Sequence, residues 1–130
     1  MEQQEKQLLL KDLCARLPYG VICHTEKGDG YLCSINQTIF GTEYGLNINP
    51  LKRDYFNDSE TDEKAVKPYL RPMSSMSRDE SFELGEIMLD LGSSNVMTNV
   101  IDFYNAHHLD HHNLIKKGLA LEAPEDMYKQ

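Results

Sequence analysis

The densest group of side chains that could do chemistry lies near the end of the chain. The run from residue 107 to residue 112 contains His107, His108, Asp110, His111 and His112. Histidines four residues apart share one face of an α-helix, as they do in metal-binding helices, and a nearby carboxylate can add a ligand or orient an imidazole. A metal site or a metal-dependent enzyme built on these five residues is therefore one interpretation of the run.

Two features of the same run favour a different interpretation. Asp110 is well placed to cap a following helix, which would break a continuous helix between the histidine pairs. No glutamate lies between the histidines, although a hydrolytic zinc helix needs one as its general base. We therefore predict a polar corner between two helices, with no catalytic residue and no cofactor, and keep the metal site as the alternative.

A second candidate surface is strongly acidic. The chain has 21 acidic and 13 basic residues, which gives a net charge of −8, and the stretch from residue 57 to residue 63 has no apolar residue. Carboxylates are repelled by phosphates and anionic lipid and attracted by basic protein surfaces, while aromatic side chains supply buried anchors. The predicted partner-binding residues of this surface loop are Asp54, Tyr55, Phe56, Asp58, Glu60, Asp62 and Glu63.

Length and composition predict a single domain over residues 1–130. The chain is 40% hydrophobic, which is ordinary for a globular protein, and no apolar run is long enough to span a bilayer. The N-terminus lacks the features of a signal peptide, and Cys14, Cys23 and Cys33 have no metal-site spacing. We expect a cytoplasmic protein whose thiols are reduced and buried as small apolar groups.

The N-terminal half predicts one helix and a small antiparallel sheet. Apolar residues recur at helical spacing between Glu2 and Leu17, and Pro18 ends that helix. Residues 21–27 and 31–37 alternate around Gly28-Asp29-Gly30, which predicts a hairpin that places Cys23 opposite Ile35. A short third strand follows near residues 46–48.

The C-terminal half predicts two or three helices. Ser77 and Glu80 have the spacing of a capping box, and Gly92 ends the helix that it opens. A second helix carries the stripe Met97, Val100, Ile101, Tyr104 and His108, and a short third helix would run from Asp110 to residue 117. The predicted fold class is therefore α+β.

Three segments resemble a known group of proteins. The block from Lys67 to Met76, KPYLRPMSSM, and the C-terminal block formed by Asp110 and residues 114–124 are similar to blocks in small hypothetical proteins of gut Bacteroides and their phages. The opening segments, residues 10–13 and 17–21, are similar as well. That family has no established activity, so the resemblance implies a cytoplasmic setting in Bacteroides or a phage and no catalytic residue.

Charge and setting together predict a non-enzymatic protein-interaction module. Its partner would be a protein with a basic surface, and the chain itself would bind neither nucleic acid nor membrane. One form of this hypothesis is an inhibitor of a nucleic-acid-binding protein. The alternatives are the histidine-cluster metal protein and an oligomeric structural accessory protein whose helix surface is buried between subunits.

Overall fold

The computed structural model has an α+β fold, as predicted. It describes residues 3–25, 28–38, 41–49, 52–57, 66–90, 92 and 94–128, and for residues 37–38, 41–42, 48–49 and 52–57 it describes the backbone alone. None of the helices in these ranges is long and apolar enough to cross a lipid bilayer.

The described elements are an N-terminal helix, six strands and two further helices. Their bounds are α1 (Gln3–Arg16), β1 (Ile22–Thr25), β2 (Gly28–Thr38), β3 (Gly41–Asn49), β4 (Lys52–Asn57), β5 (Lys67–Leu70), α2 (Arg78–Met88), α3 (Val96–Ala106) and β6 (Leu121–Glu122). The strands form one sheet in the order β4-β3-β2-β1-β5-β6. Neighbouring strands are antiparallel except for β5 and β6, which are parallel.

The hairpin between β1 and β2 forms, but its predicted register is wrong. Cys23 pairs with Gly30 and Thr25 with Gly28, so the Gly28-Asp29-Gly30 segment belongs to β2 and the connection lies at residues 26–27, outside the described residues. A register shift between Leu32 and Ser34 then moves the inward face of β2 from Leu32 to Ile35. This bulge explains how both residues pack on the core although their spacing is odd.

The third strand is longer and more central than predicted. β3 has nine residues and lies between β2 and β4. β4 takes up residues 52–57, where we expected a loop, and it is the last strand at its end of the described sheet.

Two apolar clusters form the core. The larger one packs α1 on the sheet through Leu9, Leu13, Cys23, Leu46 and Leu70, with Leu114 and Leu119 closing it from the C-terminal segment. The smaller one joins α2 to α3 through Leu84, Val100, Phe103 and Leu109. The predicted stripe of α3 is thus only partly correct, because Met97 and Ile101 are exposed.

The cysteines are free, and they differ in exposure. Cys23 is buried in the sheet, Cys33 is half-buried and Cys14 is exposed on α1. Burial raises the pKa of the Cys23 thiol, so this group behaves as a small apolar side chain. The expectation of three buried thiols is therefore correct for Cys23 and wrong for Cys14.

We expect Leu13→Ala to lower the free energy of unfolding by about 2–5 kcal/mol, because it opens a cavity at a side chain that is 0% exposed between α1 and the sheet. Urea denaturation measures this change. Lys11→Ala, at an exposed position of the same helix, is the matched control and should change stability by less than about 0.5 kcal/mol. Equal effects of the two substitutions would contradict the packing described for α1.

Candidate functional site

A buried ion pair on α1 lies beneath the histidine run. Asp12 and Arg16 are both 0% exposed, and Arg16 Nε donates to Asp12 Oδ2 at 2.8 Å. Arg16 Nη2 donates to Asp12 Oδ1 at 3.2 Å and to the carbonyl oxygen of Leu109 at 2.6 Å. The pair forms because residues 9, 12, 13 and 16 follow helical spacing, so the two charged residues share the inward stripe with Leu9 and Leu13.

The chain turns sharply where α3 ends. His108 has a φ of 59°, which a right-handed helix cannot contain, and the backbone N–H of Arg71 donates to its carbonyl oxygen at 2.7 Å. The N–H of Asp110 in turn donates to the carbonyl oxygen of Arg71 at 2.9 Å. These bonds fix residues 107–112 as a corner beside the end of β5 instead of a continuous histidine helix. The predicted corner between two helices is correct only for its first helix, α3, because turns follow the corner.

His107 points towards α2. Its Nδ1 lies 2.9 Å from Glu80 Oε2, and Arg71 binds both oxygens of the same carboxylate, at 2.8 Å and 2.7 Å. The hydrogen bonds from Arg71 and from the Ser77 backbone lower the pKa of Glu80 to about 2. Glu80 also forms the predicted capping box with Ser77, so this part of the corner secures the start of α2.

His108 stacks on Tyr128. The two ring centroids are 3.8 Å apart, and Tyr128 Oη accepts from the Ile22 N–H at 2.9 Å and donates to the Tyr69 carbonyl oxygen at 2.7 Å. His108 Nδ1 is buried and has no hydrogen-bond partner within the described part of the chain. Burial, with the charges of Arg16 and Arg71 adding to it, lowers the pKa of His108 to about 4.

The Asp110 carboxylate is hydrogen-bonded to backbone N–H groups. Its two carboxylate oxygens accept from the N–H groups of Leu114, at 2.7 Å, and of Ile115, at 3.0 Å. The residues that follow form turns instead of the predicted short helix, because Asn113 has a φ of 60°. Asp110 therefore caps a turn, with both of its carboxylate oxygens bound to backbone N–H groups.

His111 and His112 are the two predicted residues that converge. Their ring centroids are 4.1 Å apart, and His112 Nδ1 lies 2.9 Å from Asp12 Oδ1. His111 Nε2 lies 3.0 Å from Oδ1 of the buried Asn105. Burial, together with the charges of His112 and Arg16, lowers the pKa of His111 to about 4, so its imidazole is neutral at neutral pH.

The predicted five-ligand cluster is thus divided. His107 contacts Glu80, His108 stacks on Tyr128, and Asp110 accepts from the backbone. His111 and His112 lie together beside Asp12. One ligand atom from each of Asp12, His111 and His112 lies within 4.8 Å of the others. Sequence reasoning missed Asp12 because a charged side chain is expected to face solvent. Its signal was the spacing of four residues between Asp12 and Arg16 on the stripe that contains Leu9 and Leu13.

An acidic surface is present on the C-terminal helices. An open groove of about 460 Å³ between α2 and α3 is lined by Glu83, Glu86, Ile87, Asp90, Asn99 and Asp102. In the same segment of the chain, Phe82 is 69% exposed, and Leu89, which directly follows α2, is 75% exposed. Phe82, Glu86 and Leu89 lie at helical spacing, so two large apolar side chains lie on either side of a carboxylate along this segment.

The predicted acidic loop is described only at its beginning. Asp54, Tyr55 and Phe56 lie in β4, where Asp54 pairs with Leu46 and Phe56 with Tyr44. Only the backbone of these three residues is described, and Asp58, Glu60, Asp62 and Glu63 lie outside the described residues.

Arg16→Met should lower the free energy of unfolding by about 3–5 kcal/mol, because it leaves the Asp12 carboxylate buried without its cation. Chemical denaturation checks this expectation. Arg78→Met removes an exposed arginine from α2 and is the matched control. If both substitutions cost the same small amount, the buried pair would not have the role given to it here.

We expect the protein to lose stability as the pH falls from about 6.5 to about 4. Folding lowers the pKa of both His108 and His111 to about 4, so in this window the unfolded chain binds protons that the folded chain excludes, and His108 alone accounts for a loss of about 3 kcal/mol. His108→Asn removes one of the two titrating histidines and suits the positive φ, so its unfolding free energy should depend less on pH. Identical pH profiles for the two proteins, measured by denaturation at fixed pH steps, would refute this assignment.

Comparisons of the chain with protein-family models, with curated proteins and with solved structures found no match.

Proposed function

We propose that this protein is a non-enzymatic protein-interaction module that binds a basic protein surface. The observation that carries the proposal is the acidic groove between α2 and α3 with its exposed apolar border. We further propose that the protein is cytoplasmic and originates from a phage or mobile element of Bacteroides, a setting that rests on the resemblance of its sequence blocks.

The charge of the groove supports a basic partner. Glu83, Glu86, Asp90 and Asp102 are exposed around it, and its lining contains no Lys or Arg among the described residues. Like charges held close together repel each other, and a cationic segment that lies between them relieves that repulsion. Such a surface attracts Lys and Arg side chains and speeds their encounter with the protein.

The apolar side chains beside the groove support a specific contact. Phe82 on α2 and Leu89 directly after it present large apolar areas to solvent, and apolar anchors surrounded by charges are typical of protein-binding surfaces. The partner that fits is therefore a basic segment with apolar residues of its own. If that segment is the nucleic-acid site of its protein, this chain acts as an inhibitor by occupying it.

The division of the histidine run supports a non-enzymatic role. His107, His108 and Asp110 each have a structural partner in the corner, so these groups stabilise the fold instead of surrounding one reacting centre. In this proposal the protein acts by binding, through the attraction between the acidic groove and a basic partner.

Three paired charge reversals test which surface binds the partner. Glu86→Lys with Asp90→Lys alters the groove, Asp62→Lys with Glu63→Lys alters the loop, and Glu125→Lys with Asp126→Lys is the control at exposed positions near the C-terminus. Each pair turns two carboxylates into two ammonium groups, so each changes the net charge from −8 to −4. Differences among the three variants therefore report position and not total charge.

We expect the groove pair to lose the partners that the wild-type protein and the control pair capture from a Bacteroides lysate, as measured by quantitative mass spectrometry. A captured nucleic-acid-binding protein should be released by added duplex DNA or RNA if the chain occupies its binding site. Identical partners for all variants would contradict the assignment of the groove as the binding surface. A loss of partners confined to the loop pair would assign the binding surface to residues 54–63 instead. A wild-type homo-oligomer that Leu89→Ser dissociates would favour the oligomeric accessory protein instead.

A further inference from the structure

We propose that Asp12, His111 and His112 form a binding site for a divalent transition-metal ion of the zinc class. This site differs from the five-residue cluster predicted from the sequence, since it omits His107, His108 and Asp110 and gains Asp12 from α1. It shares no residue with the acidic groove, so the metal site and the protein-binding surface can be tested separately.

The distances among the three ligand groups are close to those of a metal site. One ligand atom from each residue lies within 4.8 Å of the others. Tetrahedral coordination at about 2.1 Å places ligand atoms about 3.4 Å apart. The most widely separated ligand atoms must therefore approach each other by roughly an ångström, whereas Asp12 Oδ1 and His112 Nδ1, which are 2.9 Å apart, must separate slightly. His111 and His112 are half-buried and can rotate towards the metal, whereas Asp12 is fixed in the core.

The groups around the site already orient its ligands. The Asn105 amide oxygen accepts from His111 Nε2, so the ring proton is on Nε2 and the lone pair of Nδ1 is left for a metal. Tyr104 stacks on the same imidazole with the ring centroids 5.3 Å apart. Metal-binding histidines are oriented in this way by an acceptor on the opposite nitrogen.

Asp12 is oriented in the same manner. Arg16 Nε donates to Oδ2 and Arg16 Nη2 donates to Oδ1, and Oδ1 also lies 2.9 Å from His112 Nδ1. A metal bound to both atoms would replace the hydrogen bond between them. When the metal binds, His112 changes tautomer and carries its single ring proton on Nε2, so the number of protons on this residue is conserved.

The ligand set selects the class of metal. Two imidazole nitrogens and one carboxylate oxygen suit Zn²⁺, Co²⁺, Ni²⁺ or Cu²⁺, whereas Mg²⁺ and Ca²⁺ prefer sites made of oxygen alone. Three protein ligands leave a coordination position open to water. The Arg16 guanidinium repels the ion, so we expect weaker binding than at a structural zinc site.

The test is titration of the full chain, free of any polyhistidine tag, with Co²⁺ and Zn²⁺. Visible absorption reports tetrahedral Co²⁺, and calorimetry reports Zn²⁺. We expect a single equivalent of each metal to bind, with Mg²⁺ and Ca²⁺ giving no signal. His111→Gln and His112→Gln should each weaken Zn²⁺ binding by about tenfold or more. Asp12→Asn, once circular dichroism has shown that it folds, should weaken Zn²⁺ binding to a similar extent.

His107→Gln is the matched control, because this residue belongs to the same run but is held by Glu80. It should bind Zn²⁺ as the wild-type protein does. The absence of Zn²⁺ and Co²⁺ binding by the wild-type chain would overturn the proposal, and so would unchanged affinity in His112→Gln. An equal loss in His107→Gln would overturn it as well, since binding would then belong to the histidine run as a whole.

Discussion

The structure depends on one interaction that connects its two apolar clusters, the buried ion pair of Asp12 and Arg16. The pair lies on α1, which packs on the sheet, while Arg16 also binds the carbonyl oxygen of Leu109, which belongs to the cluster of α2 and α3. Arginine suits this position because its guanidinium can serve a carboxylate and a carbonyl group at once. The interaction therefore holds the C-terminal helices in place against the sheet.

The two proposed functional surfaces follow from this arrangement. Asp12 places a fixed carboxylate beside His112, and that contact joins α1 to the corner from which the proposed metal site is built. The contacts of Arg71 with Glu80 and His107 then position the start of α2, whose outer face carries Phe82 and the acidic groove. The ion pairs inside the protein thus position α1, α2 and the corner, while the carboxylates of the groove remain exposed to a partner.

The features that could be predicted from the sequence depend on neighbouring residues. α1 and the capping box of Ser77 and Glu80 are signalled by local spacing, and both are confirmed. The hairpin register was wrong because Gly28-Asp29-Gly30 has the composition of a turn, although in the sheet Asp29 binds His24 and Tyr69 across the strands. The placement of Asp12 beside His112 and the burial of Arg16 depend on contacts with residues about a hundred positions away, which no local pattern contains.

The most direct test of the central claim is native-state hydrogen exchange of backbone amides in α3 and β1. If the ion pair joins the two clusters into one cooperative unit, amides such as those of Phe103 and Cys23 should share the largest free energy of opening in the wild-type protein. In Arg16→Met, the α3 amides should then open at a lower free energy than the β1 amides. Separate opening of α3 in the wild-type protein, or joint opening in the variant, would contradict the account.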